Sequence, residues 1–335
     1  RTFWACFSAW ALDAMDVQLY AVVMPTLIAL WSLTKGQAGL LGTAALLVSS
    51  LGGWAAGMLS DRYGRVRVLR LTIIWFSTFT ILSGLTSSYG QLMVTRSLQG
   101  FGFGGEWAAG GVLLSEIMSK EKRGRAVGTV ASGWSVGYGC AVLLYSLVFS
   151  FVAPAQAWRL LFFLGLIPAL FVLWLCRHLE DPEVYRKMKT TQSAQPQKSN
   201  LLEIFQPGLL PTTLVASLLA AGALGGNYTI LTWLPTYLKT VRGLSVLNTG
   251  AYLGVNILGS FLGYVLCGHL SDCLGRRRTF AITSVCAAIT VATYTLLPIK
   301  GVFVLLLGFP LGFFQSGIIS GMGAAFAELF PTRVR

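Results

Sequence analysis

With 55% hydrophobic and only 11% charged residues over 335 positions, the chain is too apolar for a soluble domain of its size and must use lipid as part of its solvent. Its formal charge of +13 would suit a nucleic-acid partner, but the placement of the charge excludes one. Of the 25 Lys and Arg, 19 fall in alternate loops or at the N-terminal edge and five on the other side (Lys35, Arg159, Lys239, Arg242, Lys300), the asymmetry of a membrane protein whose basic loops face the cytoplasm.

Apolar runs of about 20 residues or more, bounded by charge or by Gly, Pro and Ser clusters, predict ten membrane-spanning helices. The first, 4–30, is long, carries Asp13 and Asp16 and lacks a small-residue cleavage site, so it is a span and not a cleaved signal peptide. The second (38–59) and third (69–87) are joined by a short charged hairpin. The fourth (90–118) holds Arg96, Gln99 and Glu106. With the fifth (126–151) and sixth (157–176) they form a first domain, 1–177. Residues 178–210 are polar and irregular, with KMKTTQSAQPQKSN near the centre, and read as a flexible cytoplasmic linker. A second domain, 211–335, contains spans at 211–238, 246–268, 279–298 and 302–327. Six cysteines lie in spans or the cytoplasmic loop, with no C-x-x-C and no nearby histidine pair; neither a metal site, a disulfide framework nor a cofactor is expected.

The hairpin after the second span, GMLSDRYGRVRV from Gly57, recurs after the eighth as GHLSDCLGRRRT from Gly268, 211 residues on. Gly39/Gly250, Gly52/Gly263, Asp61/Asp272, Gly64/Gly275 and Arg65/Arg276 fall in register, so the chain is an internal duplication. This G-x-L-S-D-x-x-G-R-x-R pair resembles the signature loop of the major facilitator superfamily of secondary transporters. That resemblance implies an all-α membrane fold of two pseudo-symmetric six-helix bundles, of which ten spans are present here and the last two helices are expected beyond Arg335. It also implies gating roles for Gly57, Asp61, Gly64, Arg65, Gly268, Asp272, Gly275 and Arg276. The acid at each helix end would meet the positive N-terminus of a neighbouring helix, Asp272 near Arg125, and breaking that contact would favour inward opening.

An ionised side chain at the centre of a membrane helix costs about 2.5 to 3.5 kcal/mol, so such residues seldom persist without a partner or a task. Asp13 and Asp16, three apart in WALDAMDVQLY, share one face near the middle of the first span. In TRSLQGFGFGGEW of the fourth span, Gln99 and Glu106 are seven apart on nearly the same face; Glu106 is expected near mid-depth and Arg96 nearer the outer end. Burial raises the pKa of a carboxyl and a neighbouring Arg lowers it, which suits proton binding and release. Arg96 is a natural bidentate partner for a substrate carboxylate. A plainer reading has Arg96 only neutralising the acids to hold the first and fourth spans together. In the second half MPTL (Met24–Leu27) matches LPTYL (Leu234–Leu238), which puts Asn227 near the depth of Asp16. Asn227, Tyr228 and Gln315 are polar and uncharged, and would offer hydrogen bonds. GFGFGGE is not a nucleotide loop: no strand precedes it. Its glycines, like the pairs Gly53/Gly57, Gly133/Gly137, Gly250/Gly254 and Gly259/Gly263, would let helix backbones approach.

D-A-M-D in the first span, with GEWAAG, ASGWSVGYG and AWRLLFFLGLIPAL, is similar to the aromatic acid:proton and sialate:proton symporters of that superfamily. The resemblance implies proton-coupled symport of a small aromatic or sugar-acid carboxylate by alternating access, in a monomer of the bacterial inner membrane with the N-terminus and linker cytoplasmic. One cationic clamp favours a monocarboxylate. The partners expected are that carboxylate, protons and the lipid bilayer. Other readings are a sugar or drug:proton antiporter of the same fold and a non-transporting sensor. An enzyme is not expected, because the two histidines, His178 and His269, stand away from the intramembrane acids.

Overall fold

The structure, a computed structural model, describes residues 2–117, 128–177, 205–297 and 301–330; the side chains of Asp61, Arg65 and residues 2, 5, 6, 106–117, 175, 176, 323, 324, 327 and 328 lie outside that description. The described residues are almost entirely helical. In chain order the helices are α1 (Thr2–Trp31), α2 (Lys35–Tyr63), α3 (Arg65–Leu85), α4 (Tyr89–Ile117), α5 (Gly133–Phe151), α6 (Pro154–Leu164), α7 (Leu166–Cys176), α8 (Leu210–Thr240), α9 (Val246–Leu274), α10 (Arg276–Leu296), α11 (Val302–Ser320) and α12 (Met322–Leu329). Nine helical stretches among the described residues are long and apolar enough to cross a membrane. The chain is a multi-pass membrane protein. α4, with 29 residues, also has the length of a span and carries the intramembrane Arg96 and Gln99.

Two expected spans are broken. The sixth divides at Gly165 into α6 and α7, just ahead of Pro168, whose missing N–H interrupts the helical ladder. The tenth divides at Gly321 into α11 and α12. α2 opens on a capping box: the Thr34 side chain accepts from Gln37 N, and Gln37 Oε1 accepts from Thr34 N at 2.9 Å. In the duplicated hairpins Gly64 has φ 104° and Gly275 φ 87°, a conformation disfavoured for any side chain, between helices that end and restart within one residue. This explains the glycine of both D-x-x-G-R sequences.

The described chain forms two compact units. The first comprises Arg1–Ile117, Gly133–Pro182 and Leu231–Gly254; the second comprises Met118–Ser132, Glu183–Ile230 and Val255–Arg335. In the first unit α1 is enclosed by protein: from Leu12 to Leu27 every residue except Val17 is buried. α2 and α4 meet backbone to backbone, since a Cβ at Gly52, Gly100 or Gly104 would collide with the carbonyls of Phe101, Ala45 and Ser49 respectively. α1 and α5 touch in the same way at Gly137 and Ala11 O.

The second unit repeats the first contact. On α9 and α11, Gly263 abuts Phe313 O and Gly312 abuts Asn256 O, while Ser260 and Ser316 share a 2.5 Å hydrogen bond. The register is 211 residues from α2 to α9 (Gly52 to Gly263) and 212 from α4 to α11 (Gly100 to Gly312), so the duplication extends from the hairpins into the helix packing. Not every expected glycine serves this purpose. A Cβ at Gly57 or Gly254 would meet open space, so close approach rests on the other members of those pairs.

Candidate functional site

Asp13 and Asp16 of α1 and Arg96 of α4 face protein. Asp13, Asp16 and Arg96 are 1%, 3% and 4% exposed, which rules out a lipid-facing position for any of them. Asp13, Asp16 and Tyr20 follow one another along one face of α1 at spacings of three and four. Thr80 of α3 donates to Asp16 Oδ1 at 2.8 Å, and Gln99 of α4 donates through Nε2 to Asp16 Oδ2 and to Thr80 Oγ1. Arg96 Nη1 donates to Gln99 Oε1 at 2.6 Å. The guanidinium lies 4.7 Å over the ring of Tyr20, whose hydroxyl donates to Ala38 O on α2.

Gln99 therefore joins the carboxylate to the guanidinium, and its orientation is forced. A carboxylate only accepts and a guanidinium only donates, so the amide must turn its NH2 toward Asp16 and its oxygen toward Arg96. Helix geometry makes this possible: Arg96 and Gln99 are three apart on α4, hence on one face. Among the described residues the bond to Gln99 is the one hydrogen bond of Arg96, and its Nε, though buried, has no acceptor. A buried guanidinium with donors to spare is suited to hold an anion.

The sequence reading placed Glu106 at mid-depth. The structure sets Asp16, the middle of α1, against Gln99 instead, so Glu106, seven residues further along α4, stands about 10 Å nearer the hairpin end. Its side chain lies outside the described residues. In the second unit Gln315 of α11 donates through Nε2 to the main-chain oxygen of Asn227 on α8 at 2.9 Å, joining two predicted residues. Both are buried, and Asn227 Oδ1 and Gln315 Oε1 have no donor among the described residues. Tyr228 is half-buried beside them in sequence. At the second hairpin Arg276 Nη1 donates to Asp272 Oδ1 at 2.7 Å and to Ser271 Oγ at 2.8 Å, so Asp272 has a partner within its own loop. The expected neighbour Arg125 is outside the described residues, as are the side chains of Asp61 and Arg65 in the first hairpin. Gly268 packs against Gly128, whose Cβ would lie 3.3 Å from Gly268 Cα.

Thr80 and Tyr20 were not anticipated. Tyr20 had a signal, one turn beyond Asp16 on the same face. Thr80 had none, because an isolated threonine in an apolar helix ordinarily bonds its own backbone, as Thr80 also does to Phe76 O.

The comparison with family models matches residues 6–335 to the Major Facilitator Superfamily. The chain belongs to that superfamily. A probable 4-methylmuconolactone transporter of Cupriavidus pinatubonensis is 43% identical over 337 residues, covering 100% of this chain and 77% of the relative. The cis,cis-muconate transport protein of Acinetobacter baylyi is 30% identical over 340 residues, covering 99% and 80%. Among solved structures the proton:xylose symporter XylE superposes with a TM-score of 0.79 at 18% identity, over 99% of this chain and 82% of that one, which establishes the major facilitator fold. The signature-loop resemblance is thereby borne out, as is the likeness to organic-acid carriers. As a superfamily member the chain is a transporter and not an enzyme.

Proposed function

We propose that the chain is a proton-coupled symporter of a small organic monocarboxylate, working by alternating access in the cytoplasmic membrane of a bacterium, with the N-terminus and the 178–210 linker inside. The observation that carries this reading is the buried Asp16–Gln99–Arg96 relay. The substrate carboxylate takes the free donors of Arg96, and a proton takes Asp16.

Gln99 makes the two events interdependent. Protonation of Asp16 weakens its hold on the Gln99 NH2, and a carboxylate on Arg96 displaces the Gln99 oxygen, so each ligand relieves the contact that opposes the other. One proton and one monoanion carry no net charge together, so a membrane potential, worth about 2.3 kcal/mol per charge per 100 mV, does not drive the cycle and the pH gradient does. The relatives' names support an organic acid. Methylmuconolactone has one carboxylate and muconate two; a single intramembrane guanidinium fits the first better. Asn227 and Gln315 are read as hydrogen-bonding groups for the uncharged part of such a molecule, and the two hairpins as gates.

The test uses radiolabelled 4-methylmuconolactone in vesicles. Asp16→Asn is expected to abolish uptake driven by an inward pH gradient while sparing counterflow exchange. Unaltered pH-driven uptake in that variant would remove Asp16 from the mechanism.

A further inference from the structure

At the end of the helices opposite the duplicated hairpins the sequence places five basic residues, Lys35, Arg159, Lys239, Arg242 and Lys300, and no acidic one. Of the twelve Asp and Glu, four lie inside spans, Glu116 of these close to the hairpin end, and the other eight at the hairpin end or in the linker. Charge asymmetry explains the basic residues of the hairpin end, but it disfavours Lys and Arg in short loops on the opposite side. These five therefore call for another explanation.

Four of the five belong to the compact unit that holds Asp16 and Arg96. Three of those touch neutral groups. Arg159 Nη1 donates to Gly84 O at 2.9 Å and its guanidinium lies 4.5 Å over the Trp158 ring. Arg242 Nε donates to Tyr237 Oη at 2.8 Å, and Lys239 Nζ lies 6.0 Å over the Phe149 ring. Lys35 is exposed as the first residue of α2. The carbonyl and the rings fix Arg159 and Lys239 in place without cancelling their charge.

We propose that Lys35, Arg159, Lys239 and Arg242, the four in the first unit, form an anion-collecting rim that gathers organic carboxylates from the side opposite the hairpins for the Arg96 site. The inference rests on the carboxylate reading of the substrate. A surface carrying one sign of charge raises the local concentration of the opposite ion and its on-rate by tenfold or more, and the effect fades as the screening length falls from about 20 Å in dilute buffer to a few ångströms in strong salt. Uptake from this side is thus salt-sensitive in KM and not in Vmax.

The triple variant Lys35→Gln, Lys239→Gln, Arg242→Gln is compared with the parent in vesicles of zwitterionic lipid alone. KM for 4-methylmuconolactone is expected to rise about fivefold at about 20 mM ionic strength and less than about twofold at about 500 mM, with Vmax retained. An equal rise at both ionic strengths overturns the rim, as does a rise seen only when phosphatidylglycerol is added, which would assign the cations to lipid headgroups. A second arm needs no substrate. Val241, 64% exposed and adjacent to Arg242, is replaced in the variant Val241→Cys and labelled on whole cells with anionic and cationic methanethiosulfonates. The anionic-to-cationic rate ratio is expected to fall about tenfold when the three cations are removed. An unchanged ratio overturns the proposal. A falling ratio in a protein that takes up none of the probe supports the rim and counts only against the choice of substrate.

Discussion

Gly100 and Gly312 occupy the same place in two copies of one helix contact, the first against Ala45 O of α2 and the second against Asn256 O of α9. Four residues earlier the copies part: Arg96 stands in one and Gly308 in the other, where the Gly308 carbonyl accepts from Asn256 Nδ2 at 3.2 Å. The same holds for α1 and α8. Through the match of MPTL with LPTY, Asp13 and Asp16 correspond to Ala223 and Gly226. The duplication thus repeats its packing and not its charge. Buried charges are costly in a membrane helix and close packing is not, so a repeat that retains the second and drops the first has divided its labour. The first unit holds the ionic chemistry; the second keeps neutral groups, Asn227 and Gln315.

The sharpest way to break this comparison is at the shared packing. Gly100→Val and Gly312→Val each drive a side chain into a backbone carbonyl that cannot yield without moving a helix. Both are expected to abolish folded protein in the membrane, read as loss of the monodisperse peak after detergent extraction. A large effect in one half and none in the other would deny that the two contacts are equivalent.

Next in size is the difference in charge. Arg96→Met is expected to lower uptake at least about 100-fold while the protein remains folded, because it removes a charged hydrogen-bonding group worth several kcal/mol to a desolvated carboxylate. Asn227→Ala and Gln315→Leu are expected to lower uptake about tenfold or less and to leave its pH dependence unchanged, as suits neutral hydrogen bonds of about 0.5 to 1.5 kcal/mol. Equal losses, or a shifted pH profile in the second-half variants, would contradict the division. Smallest is Thr80→Val, which removes one of the two donors to Asp16 and leaves Gln99 in place; the low end of the range for a hydrogen bond to a charged group, about 1.5 kcal/mol, corresponds to roughly a tenfold loss, measured as uptake against external pH.

Much of this was legible in the sequence, for physical reasons that also mark where legibility ends. A charge in a run of 20 apolar residues is visible because lipid excludes it, so Asp13, Asp16 and Arg96 stood out, and Gln99 with them. Depth was less legible. The midpoint of the fourth span pointed to Glu106, whereas contact with α1 at Asp16 sets the level at Gln99, and contacts between helices are not written in either helix alone. Thr80 carries no anomaly at all, since its importance lies in what α1 brings to it. The breaks at Gly165 and Gly321 interrupt stretches whose hydrophobicity continues unbroken, so span-counting passes over them. The hairpin glycines were legible by repetition, and the positive φ of Gly64 and Gly275 supplies the reason.

The relay between Asp16 and Arg96 is tested most directly by the proton movement that accompanies substrate. When 4-methylmuconolactone is added to lightly buffered vesicles carrying the protein, the external medium should become more alkaline as substrate enters, and Asp16→Asn should eliminate that signal. Substrate entry with acidification, or with no pH change in the unmodified protein, would contradict proton symport through this cluster.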